Sequence, residues 1–135
     1  MAYHGVELQN SITIEKIFSI HYFEYMSNFS FAGESHNFWE FICVDKGEVG
    51  VTRGKSYTIL KKGDLIFHKP NEFHDVKATG GIAPNLVVVS FECTSEAMQF
   101  FRRRILKLTM MQCTFLMTVF YKLTRRNVIF LPTSS

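Results

Sequence analysis

Residues 36–68 read HNFWEFICVDKGEVGVTRGKSYTILKKGDLIFH, and the punctuation of this stretch decides the fold. Short apolar runs rich in Val, Ile and Phe are broken at Asp45-Lys46-Gly47, Gly54-Lys55 and Lys61-Lys62-Gly63-Asp64. Short β-favouring runs separated by turn residues are the pattern of an all-β sandwich or barrel. Arg53-Gly54-Lys55-Ser56 leaves two central residues between two runs, so a tight hairpin is expected there, with Gly54 supplying positive φ. In His36 to Val44 the period of two puts His36, Phe38, Glu40, Ile42 and Val44 on one face, and Asn37, Trp39, Phe41 and Cys43 on the other. Both faces are mostly apolar, so this strand is expected to be covered on both sides. Trp39, opposite Glu40, reads as core or interface.

The same texture runs from Ile12 to Glu92. Further breaks at Asn28, Gly33-Glu34, Pro70-Asn71 and Gly80-Gly81 frame strands at Ile17–Tyr25, Asp75–Ala78 and Leu86–Phe91. Strands are also expected at His36–Val44, Val49–Arg53, Ser56–Leu60 and Asp64–His68, so residues 1–93 form the β unit. After Glu92 the period changes. Thr94 or Ser95 can cap a helix over 94–108 in which Met98, Phe101, Ile105 and Leu108 follow helical spacing. That stripe either packs on its own sheet or pairs two copies of the chain. Residues 109–135 are apolar around much of a helical wheel and show neither stripe nor cap; they read as helix and then disorder. Met110 to Tyr121 has about half the length needed to cross a bilayer and carries Gln112 and Thr114, so no membrane span is expected.

A chain of 135 residues supports one domain. Fourteen Phe, five Tyr and one Trp lean towards a β-rich core, because aromatic side chains favour strands. A formal charge of +3 is too small to argue for a nucleic-acid partner. Arg102-Arg103-Arg104 and Arg125-Arg126 read as solvated faces. Three cysteines without CxxC spacing, and no signal peptide, point to a reducing cytoplasm and against a disulfide scaffold.

Two segments carry candidate chemistry. The first is Glu34-Ser35-His36-Asn37-Phe38-Trp39-Glu40, followed by six residues and then Gly47; the second is Gly63-Asp64 with Pro70 and His74. Together they resemble the paired motifs of the cupin superfamily: His36, Glu40, Gly47, Gly63 and His74 match. Glu34 stands where the family has its first His, the Pro is displaced by one position, and the inner Gly of the second motif is missing. The resemblance implies a mainly β fold, a cupin-type double-stranded β-barrel (jelly roll) with one or two C-terminal helices. It also implies that Glu34, His36, Glu40 and His74 converge at the barrel mouth, where imidazole and carboxylate suit Zn²⁺, Mn²⁺, Fe²⁺ or Ni²⁺. The other outcome is a metal-free polar network in which His36 and His74 bond to Glu40 and Glu34, with no cofactor.

A narrower likeness covers Ile12 to Leu108. His21-Tyr22-Phe23-Glu24-Tyr25, Val44-Asp45-Lys46-Gly47-Glu48, Leu60-Lys61-Lys62-Gly63-Asp64 and Pro70-Asn71-Glu72-Phe73-His74 look like the N-terminal sensor domain of AraC-type transcription regulators. That resemblance implies a barrel that binds a small effector, a sugar or other polar metabolite, without catalysis, and pairs as a homodimer through helices after the barrel. DNA would be read only through a C-terminal helix-turn-helix domain, which this chain does not show, as expected of a sensor fragment or a truncated or frame-shifted reading frame. The residues expected to bind effector are His21, Phe23, Glu34, His36, Phe38, Glu40, His68 and His74. The competing expectation is a free-standing metal-dependent cupin enzyme, an isomerase, epimerase or dioxygenase.

Overall fold

The computed structural model describes residues 3–7, 12–125 and 133–134. The strands are β1 (Lys16–Glu24), β2 (Ser30–Glu34), β3 (Trp39–Lys46), β4 (Glu48–Arg53), β5 (Ser56–Lys61), β6 (Asp64–His68), β7 (His74–Thr79), β8 (Asn85–Glu92), β9 (Ile105–Lys107) and β10 (Thr133–Ser134). A 3₁₀ helix (Glu96–Phe101) follows β8, and helix α1 (Met110–Arg125) follows β9. The strands form a six-stranded sheet, β10-β1-β8-β3-β6-β9, and a four-stranded sheet, β2-β7-β4-β5. All pairings are antiparallel except β1 with β10.

The two sheets face each other, and the period of two decides what lies between them. Ile42 and Val44 of β3, Val49 and Val51 of β4, Leu60, Ile66, Val76, and Leu86 and Val88 of β8 make one buried cluster. The alternate residues cover the outer face of the six-stranded sheet. There Trp39 and Phe91 pack with Cys93 and Met98, and Cys43, Leu65 and Val87 form a second cluster against Leu106, Leu108 and Leu116. β3 is thus buried on both sides, as its sequence indicates. The hairpin also forms as expected: Arg53 pairs with Ser56 and Gly54 has φ 60°.

Three expectations change. No helix spans 94–108: a 3₁₀ turn ends at Phe101, and Ile105–Lys107 pairs with β6 as strand β9. Met98 and Phe101 are three apart, a spacing that 3₁₀ and α-helices share, and both pack on the outer face of the barrel. Arg102, Arg103 and Arg104 are all exposed, and the next residues gain more from the free edge of β6 than from continuing a helix. Ile105 stays 39% exposed, so the expected four-residue stripe is not one surface. Ser95 is the N-cap residue but its hydroxyl accepts from the Thr13 amide instead of capping the turn.

The tail does have a cap. Gln112 N–H donates to Thr109 Oγ1 (3.1 Å) and Thr109 N–H donates to Gln112 Oε1 (2.8 Å), a reciprocal capping box that starts α1. The disorder expected towards the C-terminus falls mostly on residues 126–132, outside the described residues. β2 was not anticipated; its bulged pairing with β7 and the positive φ of Gly33 hide the alternation.

Gly47, between β3 and β4, has φ 76°, and a Cβ there would lie 3.1 Å from Pro84 Cα. Gly81 has a similar φ, 73°, in open space. Gly47→Ala is expected to cost about 1–3 kcal/mol from backbone strain plus crowding. Gly81→Ala should cost less, and urea unfolding of the two variants checks the order.

Candidate functional site

Four side chains from three segments meet at one end of the barrel. Glu34 on β2 pairs in register with His74 on β7, Glu40 on β3 pairs with both His68 on β6 and Ser90 on β8, and His36 lies in the turn before β3. His74 Nε2 lies 2.9 Å from Glu40 Oε2 and 3.9 Å from Glu34 Oε1; His36 Nε2 lies 3.6 Å and 3.9 Å from the same two oxygens. One donor atom from each residue can be chosen so that all four lie within 4.8 Å of one another.

The tautomers follow from backbone contacts. Nδ1 of His36 is 3.1 Å from the Phe38 carbonyl, and Nδ1 of His74 is 3.1 Å from the Glu72 carbonyl. A carbonyl can only accept, so both Nδ1 atoms carry hydrogen, and in a neutral ring Nε2 is then an acceptor. Two acceptor nitrogens facing two carboxylates need a proton or a cation between them. Burial alone would lower the His74 imidazole, but hydrogen bonding and charge from Glu40 raise it above its ordinary value. Burial alone would raise the Glu40 carboxyl; hydrogen bonding from His36 and His74 outweighs this and holds it down at about 2. With both rings neutral, the buried Nε2 atoms of His36 and His74 each lack a hydrogen-bond partner.

These features fit a divalent cation. The donor set is two imidazole nitrogens and two carboxylates, each Nδ1–H is anchored on a carbonyl as in typical metal-ligating histidines, and both buried Nε2 atoms lack a hydrogen-bond partner while the rings are neutral.

Beside the cluster lies a cavity of about 350 Å³ inside the barrel. Phe23, Tyr25, Phe29 and Phe31 supply aromatic wall; Ile42, Val76, Leu86 and Val88 supply aliphatic wall; Glu34, Glu40 and His74 supply its ionisable groups. Phe23, Tyr25 and Phe29 stack in sequence, with centroids 5.0 Å and 3.6 Å apart. Burial pushes the Tyr25 phenol upward, and the negative charge of Glu40 adds to that.

Of the residues expected to bind effector, Phe23, Glu34, Glu40 and His74 line the cavity. His36 sits at its edge through the contacts to Glu34 and Glu40. The other three stand off the lining. His21 stacks on Phe23 at 4.9 Å, Phe38 stacks on His36 at 3.9 Å and tilts against Phe18, and His68 is stacked on His74 at 4.2 Å. Phe38 is displaced because β3 starts only at Trp39, so the alternation assumed from His36 onward does not hold there. Tyr25, Phe29 and Phe31 were missed, although Phe23-x-Tyr25 and Phe29-x-Phe31 keep a period of two on either side of the break at Asn28.

The sequence profile of the AraC-like ligand binding domain matches residues 18–116. The chain belongs to this family. The match covers β1 through β9 and the first turns of α1. Solved structures with a similar chain path include a cupin 2 conserved barrel domain protein from Rhodopseudomonas palustris (20% identity, TM-score 0.47, covering 70% of this chain and 60% of that one). Others are the Cnp3 cupin domain of Schizosaccharomyces pombe (16%, 0.49, 59% and 54%) and a predicted oxalate decarboxylase from Thermotoga maritima (20%, 0.48, 50% and 59%). The chain thus spans less than two thirds of each. Among curated proteins no relative matches. Among the described residues no helix is long and apolar enough to cross a membrane.

His68 adds a titratable group that the AraC-like domain keeps from water altogether. It is 0% exposed, and neither ring nitrogen has a hydrogen-bond partner. Burial pushes its imidazole down to about 3, and the neighbouring His74 charge pushes the same way. The folded state therefore stays neutral at His68 where the unfolded chain takes a proton, so this group removes stability as pH falls from about 6.5 towards 3. The raised imidazole of His74 works against this, since its stabilisation is gained as pH falls, and the depressed carboxyl of Glu40 adds its own loss only below the ordinary carboxyl range. Between pH 7 and pH 5 the protein should lose about 2 kcal/mol through His68. His68→Phe, which keeps the stacking and removes the titration, should flatten that slope in urea unfolding at the two pH values.

Proposed function

We propose that this AraC-like domain is an effector sensor of the AraC type of transcription regulator: it holds a small molecule in the barrel and leaves it unchanged. The observation that carries the proposal is the cavity of about 350 Å³ between the sheets, apolar over most of its wall and with convergent ionisable groups at one end. That is the ordinary make-up of a small-molecule site. Family membership supports the same assignment.

Pairing of two copies belongs to this proposal, but not through the stripe expected from sequence. Met98 is buried in its own barrel, whereas Met111 and Phe115 on α1, one turn apart, are 82% and 69% exposed. Sedimentation of the wild type against Phe115→Glu separates the two surfaces: loss of a dimer places the contact on α1.

A second reading rests on a specific observation, the four-donor cluster. Glu34, His36, Glu40 and His74 would hold Zn²⁺, Mn²⁺, Fe²⁺ or Ni²⁺, and such an ion would supply Lewis acidity or an activated water to a metal-dependent cupin enzyme. The two readings part in one experiment. In protein purified without chelator, sensing predicts less than stoichiometric metal and a melting temperature that rises with concentration of one metabolite in a thermal-shift screen. One bound ion per chain, lost in His74→Ala and His36→Ala, would favour the enzyme.

A further inference from the structure

The chemistry of the cavity narrows what it can hold, and the argument rests on the sensing proposal above. Three kinds of observation agree. The first is charge. Glu34 and Glu40 are carboxylates, His74 is the one lining side chain able to carry positive charge, and no Lys or Arg lines the cavity. The lining is therefore net negative whether His74 is protonated or neutral.

The second is hydrogen bonding. With Nδ1 of both histidines committed to backbone carbonyls, the groups left facing the ligand end are acceptors. These are the oxygens of Glu34 and Glu40 and, in the neutral rings, the buried and unpartnered Nε2 atoms of His36 and His74. Such a set is completed by a donor with several hydrogens and a positive charge. A ligand carboxylate or phosphate would meet repulsion from Glu34 and Glu40 there and find no Lys or Arg to pair with.

The third is the wall. Tyr25 stacks face to face with Phe23 and with Phe29, and Phe31 stands at 38% exposure. Beside them the surface is Ile42, Val76, Leu86 and Val88, with Leu86 the register partner of Phe23 and Val76 that of Phe31. A polyol such as a sugar would bury hydroxyls against this aliphatic surface without partners, which is unfavourable. An apolar or aromatic body loses nothing there, and aromatic rings beside carboxylates are a setting that attracts ammonium groups.

We propose that the cavity recognises an organic ammonium ion with an apolar or aromatic body: the ammonium lies between Glu34, Glu40 and His36, and the body lies against the aromatic and aliphatic walls. Glu34 is the determinant most open to test, since its side chain is half exposed and substitution there leaves the buried Glu40 and His74 pair intact.

The test is calorimetric titration and thermal shift on the full chain with EDTA present, using five probes. Phenethylamine and tyramine are the cations, 2-phenylethanol the neutral isostere, phenylacetate the anion, and a free pentose the polyol. The amines should bind at least tenfold more tightly than 2-phenylethanol, and phenylacetate and the pentose should give no saturable shift. Glu34→Gln should weaken the amines at least tenfold while changing 2-phenylethanol little, and Phe31→Ala should weaken both. Equal binding of amine and alcohol, amine binding untouched by Glu34→Gln, or preference for phenylacetate overturns the ammonium assignment. Binding of the pentose alone overturns it too and leaves sensing standing. If none of the five binds, the ammonium assignment falls, and sensing then stands or falls on the wider metabolite screen.

Discussion

Burying the carboxylate of Glu40 is the constraint that ties this barrel together. An ionised carboxylate with 8% exposure is tolerable only if several groups reach it, and no single segment of chain supplies them. Ser90 and His68 arrive as its register partners on either side of β3, and Ser90 Oγ donates to it at 3.4 Å. His74 comes across from the other sheet, and His36 comes from the turn just before β3. Correct register at β3–β8, closure of the two sheets, and placement of the turn are thus all needed to satisfy one charge. A slip of one residue in β3 would carry Glu40 to the outer face, among Trp39, Phe41 and Phe91, where nothing could accommodate it.

Much of the fold was readable because that register is written in the residues. Ile42 and Val44 against Trp39, Phe41 and Cys43 announce a strand with two buried faces, and Gly54 announces the hairpin that fixes its neighbours. What could not be read were segments whose structure depends on a partner. Ile105 and Leu106 continue a helical spacing, yet they form β9 because the edge of β6 is open to them, and the sequence of residues 94–108 contains no trace of that edge. β2 was obscured for the related reason that its pairing with β7 is bulged. The cap of α1 was legible in Thr109-x-x-Gln112 and was overlooked among apolar residues.

The site was legible in identity more than in arrangement. The spacings of Glu34, His36, Glu40 and His74 gave the cluster, while its consequences came from geometry that no spacing encodes. Carbonyls of Phe38 and Glu72 commit both Nδ1 atoms, and this leaves an acceptor-rich corner. Glu34 in the position that the cupin motif gives to His deepens the imbalance. The same corner explains why a metal ion and an organic cation are both chemically sensible occupants, and why an anion is not.

The double coverage of the six-stranded sheet has a consequence for how the protein can change over time. Along β3 and β8, residues facing the cavity alternate with residues under the 3₁₀ turn, β9 and α1. Neighbours in sequence therefore answer to different selective demands: Ile42 and Val88 to ligand shape, Cys43 and Val87 to the seating of the C-terminal segment. Substitutions at one set need not disturb the other, so ligand preference is free to drift by single steps while the seat beneath α1 stays fixed.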